Sequence, residues 1–163
     1  EWLSCPATPL CSHHSVHPYS LNSGHLQPAN PNPPPMKIEH FAFNVPDPGA
    51  MADWYMQHLG MRIVGQSPDA PYMTFLADDS GQVMIEIYCN PPKEVPDYAT
   101  QHPLQMHLAF VSHNPAADRD RLAAAGATLF SDDVLPDGSH LVMMRDPWGV
   151  SIQLCRRAEP MLT

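Results

Sequence analysis

The sequence predicts an α+β fold made of two tandem modules, each with the order strand, helix, strand, strand, strand. Two observations support this fold class. In each half of the chain, one segment with helical spacing is surrounded by short apolar or alternating segments typical of strands, with turn-forming glycine, proline and aspartate residues between them. In addition, several segments of the first half return in the second half at a constant spacing, which indicates an internal duplication.

The constant spacing is 67 positions, which separates His40 from His107 (107 − 40) and Glu86 from Gln153 (153 − 86). The neighbouring residues repeat as well: His40-Phe41-Ala42-Phe43 returns as His107-Leu108-Ala109-Phe110, and Val83-Met84-Ile85-Glu86-Ile87 returns as Val150-Ser151-Ile152-Gln153-Leu154. The duplication thus places two imidazoles, a carboxylate and a carboxamide at equivalent positions. Such groups are ligands of divalent metals in proteins.

The individual elements follow from turn and capping signals. In the first module we expect strands at 37–45, 61–66, 72–77 and 82–89, and a helix at 49–59 that Pro48 opens and Gly60 ends. In the second we expect strands at 104–112, 128–134, 140–145 and 150–156, and a helix at 115–125 that Gly126 ends. The modules therefore span residues 36–90 and 104–157 of a domain at 36–163, with a proline-rich linker between them.

Composition separates residues 1–35 from the rest of the chain. This segment has eight prolines, four histidines, one charged residue and no apolar periodicity, so we predict a disordered leader. The net charge of −9 argues against nucleic-acid and anionic-membrane partners, and no apolar run is long enough to span a membrane. The four cysteines form no disulfide pattern, which predicts reduced thiols and a cytoplasmic protein.

Strand periodicity decides which faces carry the polar groups. Because successive side chains of a strand point to opposite faces, His40 and Glu86 point away from their large apolar neighbours Phe41 and Ile85. The equivalent histidine and glutamine of the second module likewise point away from their large apolar neighbours. We therefore expect the helices to cover the apolar faces and the four polar groups to line the concave side of a curved sheet.

The chain resembles the vicinal oxygen chelate superfamily, the glyoxalase, bleomycin-resistance and extradiol-dioxygenase group. The resemblance rests on the repeated segments around the four polar residues and on three further motifs, Trp54-Tyr55, Leu59-Gly60-Met61 and Asp146-Pro147-Trp148-Gly149. The resemblance extends over residues 36–157. It implies that the two modules form a curved eight-stranded cup around one divalent metal ion, with the helices on the convex side. It also implies that modules pair within one chain or between two chains, and we expect a homodimer.

The resemblance further implies metal ligands on the first and fourth strands of each module, at His40, Glu86, His107 and Gln153. Many members carry glutamate at the position of Gln153, and others carry glutamine at one of the four positions. Two imidazoles with oxygen donors suit Ni, Co, Zn, Mn or Fe, and the ligand types do not choose among these metals.

The activity that the resemblance implies is that of a glyoxalase-like lyase or isomerase, acting on a small substrate that chelates the metal through vicinal oxygens. Glu86 is the candidate base and His140 the candidate second catalytic group. Asn44, Tyr88 and Asn90 are candidate substrate contacts. Two alternatives stay open: an Fe(II) or Mn(II) ring-cleaving dioxygenase, and a non-enzymatic protein that binds a small molecule such as an antibiotic.

Overall fold

The computed structural model of the chain describes residues 35–161. The first module consists of β1 (Phe41–Asn44), α1 (Pro48–Leu59), β2 (Arg62–Gln66), β3 (Thr74–Ala77) and β4 (Met84–Tyr88). The second consists of β5 (Leu108–Val111), α2 (Pro115–Ala124), β6 (Thr128–Val134), β7 (His140–Arg145) and β8 (Ser151–Arg156). The linker contains one 3-10 turn, at Pro92–Glu94. The predicted leader, except for its last residue, lies outside the described residues.

Each module forms its own four-stranded sheet. The strand orders are β1-β4-β3-β2 and β5-β8-β7-β6, and in both sheets the first pair is parallel and the others are antiparallel. The predicted α+β fold with two βαβββ modules is therefore confirmed. The two modules also share an irregularity in strand pairing. The register shifts between Ile63 and Gly65 in the pairing of β2 with β3, and between Leu129 and Ser131 in the pairing of β6 with β7. The described residues thus form two separate four-stranded sheets, with β1 and β2 at the edges of the first and β5 and β6 at the edges of the second.

Both helices begin at a proline that follows a capping residue. The Asp47 side chain accepts a hydrogen bond of 3.0 Å from the Ala50 N–H, and the Asn114 side chain accepts one of 3.2 Å from the Ala117 N–H. Each bond satisfies one of the backbone N–H groups that the start of a helix leaves without a partner. The repeated acidic or amide residue before proline in the sequence is thus a repeated helix start.

One apolar core holds the two modules together. Three hydrogen bonds also connect α1 to the second module. The Trp54 indole N–H donates to the Ala125 carbonyl at 2.9 Å, the Tyr55 hydroxyl donates to the Asp146 carboxylate at 2.8 Å, and the Arg121 guanidinium donates to the His58 carbonyl at 2.7 Å. The core draws on both sheets and both helices, through residues that include Met51, Ile85, Ile87, Leu122, Val142, Met144 and Ile152.

Two strands are shorter than predicted, since β1 begins at Phe41 and β5 at Leu108 rather than at residues 37 and 104. Before β5, the His102 carbonyl and ring accept hydrogen bonds from the backbone N–H groups of Gln105 (2.9 Å) and Leu104 (3.2 Å). This turn delays the start of strand pairing. The other predicted element boundaries differ from the structure by at most two residues.

Two further features of the described residues bear on the predictions. Cys89 and Cys155 are both free thiols. None of the helices within residues 35–161 has the length and apolar character needed to cross a membrane.

Candidate metal centre

His40 and Glu86 form the first pair of predicted ligands, and the structure brings them together. The parallel pairing of β1 with β4 sets Ala42 opposite Glu86, so His40, two residues before Ala42, points from the same face. The Nε2 atom of His40 lies 3.2 Å from Oε2 of Glu86. Two donors that each bind one ion at about 2.1 Å lie about 3 Å apart at a right angle. The pair is therefore spaced as two neighbouring ligands of a single ion.

The other ring nitrogen of His40 already has a partner. Its Nδ1 atom forms a hydrogen bond with the carboxylate of Glu39. When Nδ1–H donates to that acceptor, Nε2 is the nitrogen that remains to bind an ion. The hydrogen bond to Glu39 raises the pKa of His40 above its ordinary 6.5; partial desolvation opposes this effect, and the charges of Glu39 and Glu86 add to it. The two neighbouring carboxylates therefore favour a positive charge at the His40 ring.

His107 and Gln153 form the second pair, on the sheet of the second module. Ala109 lies opposite Gln153 in the pairing of β5 with β8, which is the register of the first module repeated. Nδ1 of His107 lies 3.0 Å from the Pro103 carbonyl oxygen. Because a carbonyl only accepts, Nδ1 carries the hydrogen of the neutral ring and Nε2 is left to bind. The Gln153 side-chain oxygen accepts a hydrogen bond of 3.2 Å from Cys155, a thiol whose pKa burial raises.

The two pairs are separate within one chain. Among residues 35–161, no three histidine, cysteine, aspartate or glutamate side chains lie together in a way that could hold a metal ion. Each pair lies on the face of its sheet opposite to the residues that enter the core, such as Ile85 and Ile152. As a set, the four donors still fit a divalent ion, with two imidazoles whose Nδ1 atoms are engaged elsewhere, one carboxylate and one amide oxygen.

His140 lies on the other face of its sheet. In the pairing of β7 with β8, Met143 stands opposite Gln153, and His140, three residues earlier, points to the opposite side. Its Nε2 atom forms a hydrogen bond of 2.6 Å with the Asp132 carboxylate, which also pairs with Arg119 of α2. The expectation that His140 reaches the cup is therefore corrected: in this structure it joins β6 and β7 to α2.

The Asn44 side chain bonds to the backbone of the segment that begins at Asn90. The Asn44 side-chain N–H donates to the Pro91 carbonyl at 3.0 Å, and its oxygen accepts from the Asn90 backbone N–H at 2.8 Å. Asn44 thus fastens the linker to the end of β1, and because it stands opposite Tyr88 it lies on the same face of the sheet as Glu86. Tyr88 remains on the same face as Glu86 and is half-buried.

The sequence profile of the Glyoxalase/Bleomycin resistance protein/Dioxygenase superfamily matches residues 37–154. The chain belongs to this superfamily. The match confirms the resemblance inferred from the repeated motifs. No curated protein matches this superfamily member in sequence.

Solved structures share the superfamily fold at low sequence identity. A glyoxalase family protein from Bacillus cereus is 16% identical with a TM-score of 0.65, over 78% of this chain and 97% of that one. A glyoxalase family protein from Enterococcus faecalis is 20% identical with a TM-score of 0.56, over 74% and 97%. TnmS3, an antibiotic binding protein from Streptomyces sp. CB03234, is 21% identical with a TM-score of 0.52, over 74% and 97%. Likeness at this level supports the fold and does not choose between an enzyme and a binding protein.

One apolar residue beside the ligand pairs of this superfamily member, Phe75, was not found by sequence reasoning. Phe75 stands opposite Glu86 across β3 and β4, and its ring meets the His40 ring edge-on with centroids 5.8 Å apart. Met143 holds the equivalent place opposite Gln153. The only available signal was the register of neighbouring strands, which local sequence does not fix. Each polar pair thus has an apolar neighbour on the same face of its sheet.

Proposed function

We propose that the protein is a metal-dependent lyase or isomerase of the glyoxalase type, acting on a small substrate with two adjacent oxygen atoms. The observation that carries the proposal is the 3.2 Å separation of His40 Nε2 from Glu86 Oε2, with Nδ1 of the same ring engaged by Glu39. A histidine and a carboxylate held in this way are prearranged as ligands. A bound divalent ion (Ni, Co, Zn, Mn or Fe) would act as a Lewis acid toward chelated substrate oxygens.

We further propose that two copies of the chain form each site, with His40 and Glu86 of one copy facing His107 and Gln153 of the partner subunit. Each pair lies on its own sheet and on the face turned away from the core, and three ligating side chains do not meet within residues 35–161. The edge strand β5 also leaves Val111 87% exposed. A second copy would cover this apolar edge while completing the donor set.

Glu86 is the proposed base. Its side chain is 13% exposed and lies opposite Phe75, so a substrate C–H bond placed against it would be shielded from water. The Glu86 carboxylate, freed from its role as a ligand when substrate oxygens bind, would take a proton from the substrate carbon and, as a carboxylic acid, return it to the adjacent atom. The Gln153 amide does not titrate and His140 is on the other face, so one carboxyl performs both transfers. Such a cycle fits an isomerisation, in which no proton is gained or lost.

Elemental analysis of protein purified without a histidine tag or added metal tests the proposal. About one equivalent of a transition metal is expected in the wild type, and we expect its loss in His40→Ala and in His107→Ala. His113→Ala is the matched control, because His113 is an exposed histidine just beyond the end of β5. A wild-type protein that holds no metal even after reconstitution would contradict the proposal.

A non-enzymatic binding protein is the second candidate. Phe75 and Met143 give each half-site an apolar neighbour, and the similar TnmS3 is an antibiotic binding protein. Affinity for a small apolar ligand that survives metal chelation would favour this function. Bound iron together with O₂ uptake would instead favour a ring-cleaving dioxygenase, although Gln153 provides no carboxylate in the second module.

A further inference from the structure

We propose that Glu39 is a positioning residue for His40, whose carboxylate holds the imidazole so that Nε2 faces Glu86 and the metal. This inference rests on the proposed metal centre and adds a residue to it that neither the repeat nor the family resemblance indicates. The repeat assigns no role to this position, because its equivalent in the second module is Met106 (39 + 67).

Geometry is the first argument. Both nitrogens of the His40 ring are accounted for, Nδ1 by Glu39 and Nε2 by Glu86 at 3.2 Å. Two contacts on opposite sides of a planar ring fix its rotation. A ring without the Nδ1 contact is able to flip by 180° about the Cβ–Cγ bond, which puts a carbon where Nε2 was and would cost part of the binding free energy of any ion.

The second module supplies the comparison. His107 also has its Nδ1 atom engaged, but by the neutral carbonyl of Pro103 at 3.0 Å. The two modules therefore orient their histidine rings with different hydrogen-bond acceptors. A carboxylate is a stronger acceptor than a carbonyl and increases the electron density on the far nitrogen. Nε2 of His40 is thus expected to bind a metal ion more strongly than Nε2 of His107, and this difference depends on the Glu39 side chain.

The solvent exposure of Glu39 distinguishes a role in orienting His40 from a role in folding. The Glu39 side chain is 71% exposed, and exposed ion pairs contribute little to stability. Substitution of Glu39 is therefore expected to leave the fold intact. Its effect should be confined to the neighbouring ring and to whatever that ring binds.

The test compares Co²⁺ affinity, by chelator competition, in the wild type, Glu39→Gln and Glu39→Ala. The dissociation constant is expected to rise about 10- to 100-fold in Glu39→Ala. Glu39→Gln should fall between, because its amide oxygen still accepts a hydrogen bond without the charge. Glu94→Ala is the matched control, since Glu94 is an exposed glutamate in the linker turn. Equal affinity in the wild type and Glu39→Ala would overturn the inference.

A second measurement needs no metal. Nitrogen NMR of the metal-free protein at alkaline pH reports which ring nitrogen carries the hydrogen. We expect the Nδ1–H form for His40 in the wild type and a mixture in Glu39→Ala, with His107 unchanged in both. A fixed His40 tautomer in a wild type that binds no Co²⁺ would support the role of Glu39 while contradicting the proposed metal function. A mixed tautomer in the wild type would overturn the inference even where Co²⁺ binds.

Discussion

Tyr55 donates a hydrogen bond of 2.8 Å to Asp146, a residue 91 positions later in the chain. The bond joins α1 of the first module to the turn that precedes β8 of the second. The other carboxylate oxygen of Asp146 accepts the backbone N–H groups of Trp148 and Val150, each at 2.9 Å. Asp146 is only 3% exposed, and its burial raises its pKa from 3.8 to about 6 despite these donors. The contact between the modules is therefore sensitive to pH.

The first prediction concerns Asp146→Asn and pH. Because folding raises the pKa of Asp146, its contribution to the free energy of unfolding is greatest below pH 3.8 and is lost as pH rises to about 6. A shift of this size corresponds to about 3 kcal/mol. Asparagine keeps an oxygen for the two N–H groups and an N–H for the Tyr55 hydroxyl without ever becoming charged. Urea unfolding at several pH values should show the variant gaining stability on the wild type between pH 4 and pH 7.

Asp137→Asn is the control, because the pKa of Asp137 is lowered in the folded protein whereas that of Asp146 is raised. Hydrogen bonds from Ser139 lower the pKa of Asp137 below 3.8, so its contribution is present above that pH and is lost only in stronger acid. The difference between the wild type and Asp137→Asn should therefore stay constant between pH 5 and pH 7. A constant difference for Asp146→Asn over the same range would contradict the prediction.

The second prediction tests whether two copies share each metal centre. Neither His40→Ala nor His107→Ala alone should retain metal. When the two variants are unfolded together, refolded and allowed to form dimers, mixed dimers contain one site with both histidines and one with neither. Random pairing should therefore restore about one quarter of the sites. Metal analysis measures this recovery, and a mixture as empty as the separate variants would show that the ligands do not come from two chains.

The third prediction concerns the repeated helix starts. Asp47→Ala and Asn114→Ala should each lower the free energy of unfolding by about 1 kcal/mol, because each removes the side chain that accepts a first-turn N–H. Denaturant unfolding measures the loss. Serine at either position caps helices well, so Asp47→Ser and Asn114→Ser should recover most of it. Unequal losses would indicate that the two modules do not contribute equally to the cooperative core.

The fourth prediction separates a structural from a binding role for Asn44. Asn44→Ala removes both hydrogen bonds to the linker and should lower the free energy of unfolding by about 1 kcal/mol while leaving metal content unchanged. Asn44→Asp keeps the acceptor for the Asn90 N–H but loses the donor to Pro91, and should lie between. Loss of metal from a folded Asn44→Ala protein would show that Asn44 also has a role in the metal centre.

Local sequence was sufficient to predict the secondary-structure elements and the face of the sheet on which the proposed metal ligands lie. Helix caps depend on residues three apart, and strand alternation depends on residues two apart, so both are visible without a structure. For this reason the starts at Pro48 and Pro115 and the shared face of His40 and Ala42 were predictable. Contacts between distant segments were not, and the linker partner of Asn44 lies 47 positions away.

The face of His140 was missed for a different reason. The residues that follow it, Leu141, Val142, Met143 and Met144, are all apolar, so their pattern has no period of two. The structure explains this: β7 is a central strand, and residues on both of its faces are buried, with Val142 at 0% and Met143 at 4% exposure. A strand buried on both sides does not reveal its orientation through hydrophobicity.

The division of the ligand pairs between two sheets would make assembly and metal retention a single equilibrium if two copies share each ion as proposed. If each ion takes two donors from each of two copies, dilution that dissociates the dimer leaves every ion with two protein ligands. Conversely, added metal would link the two copies and lower the protein concentration at which they associate. Metal content measured at the high concentrations of a purification would then overstate the metal present in a dilute assay, and specific activity would rise with protein concentration.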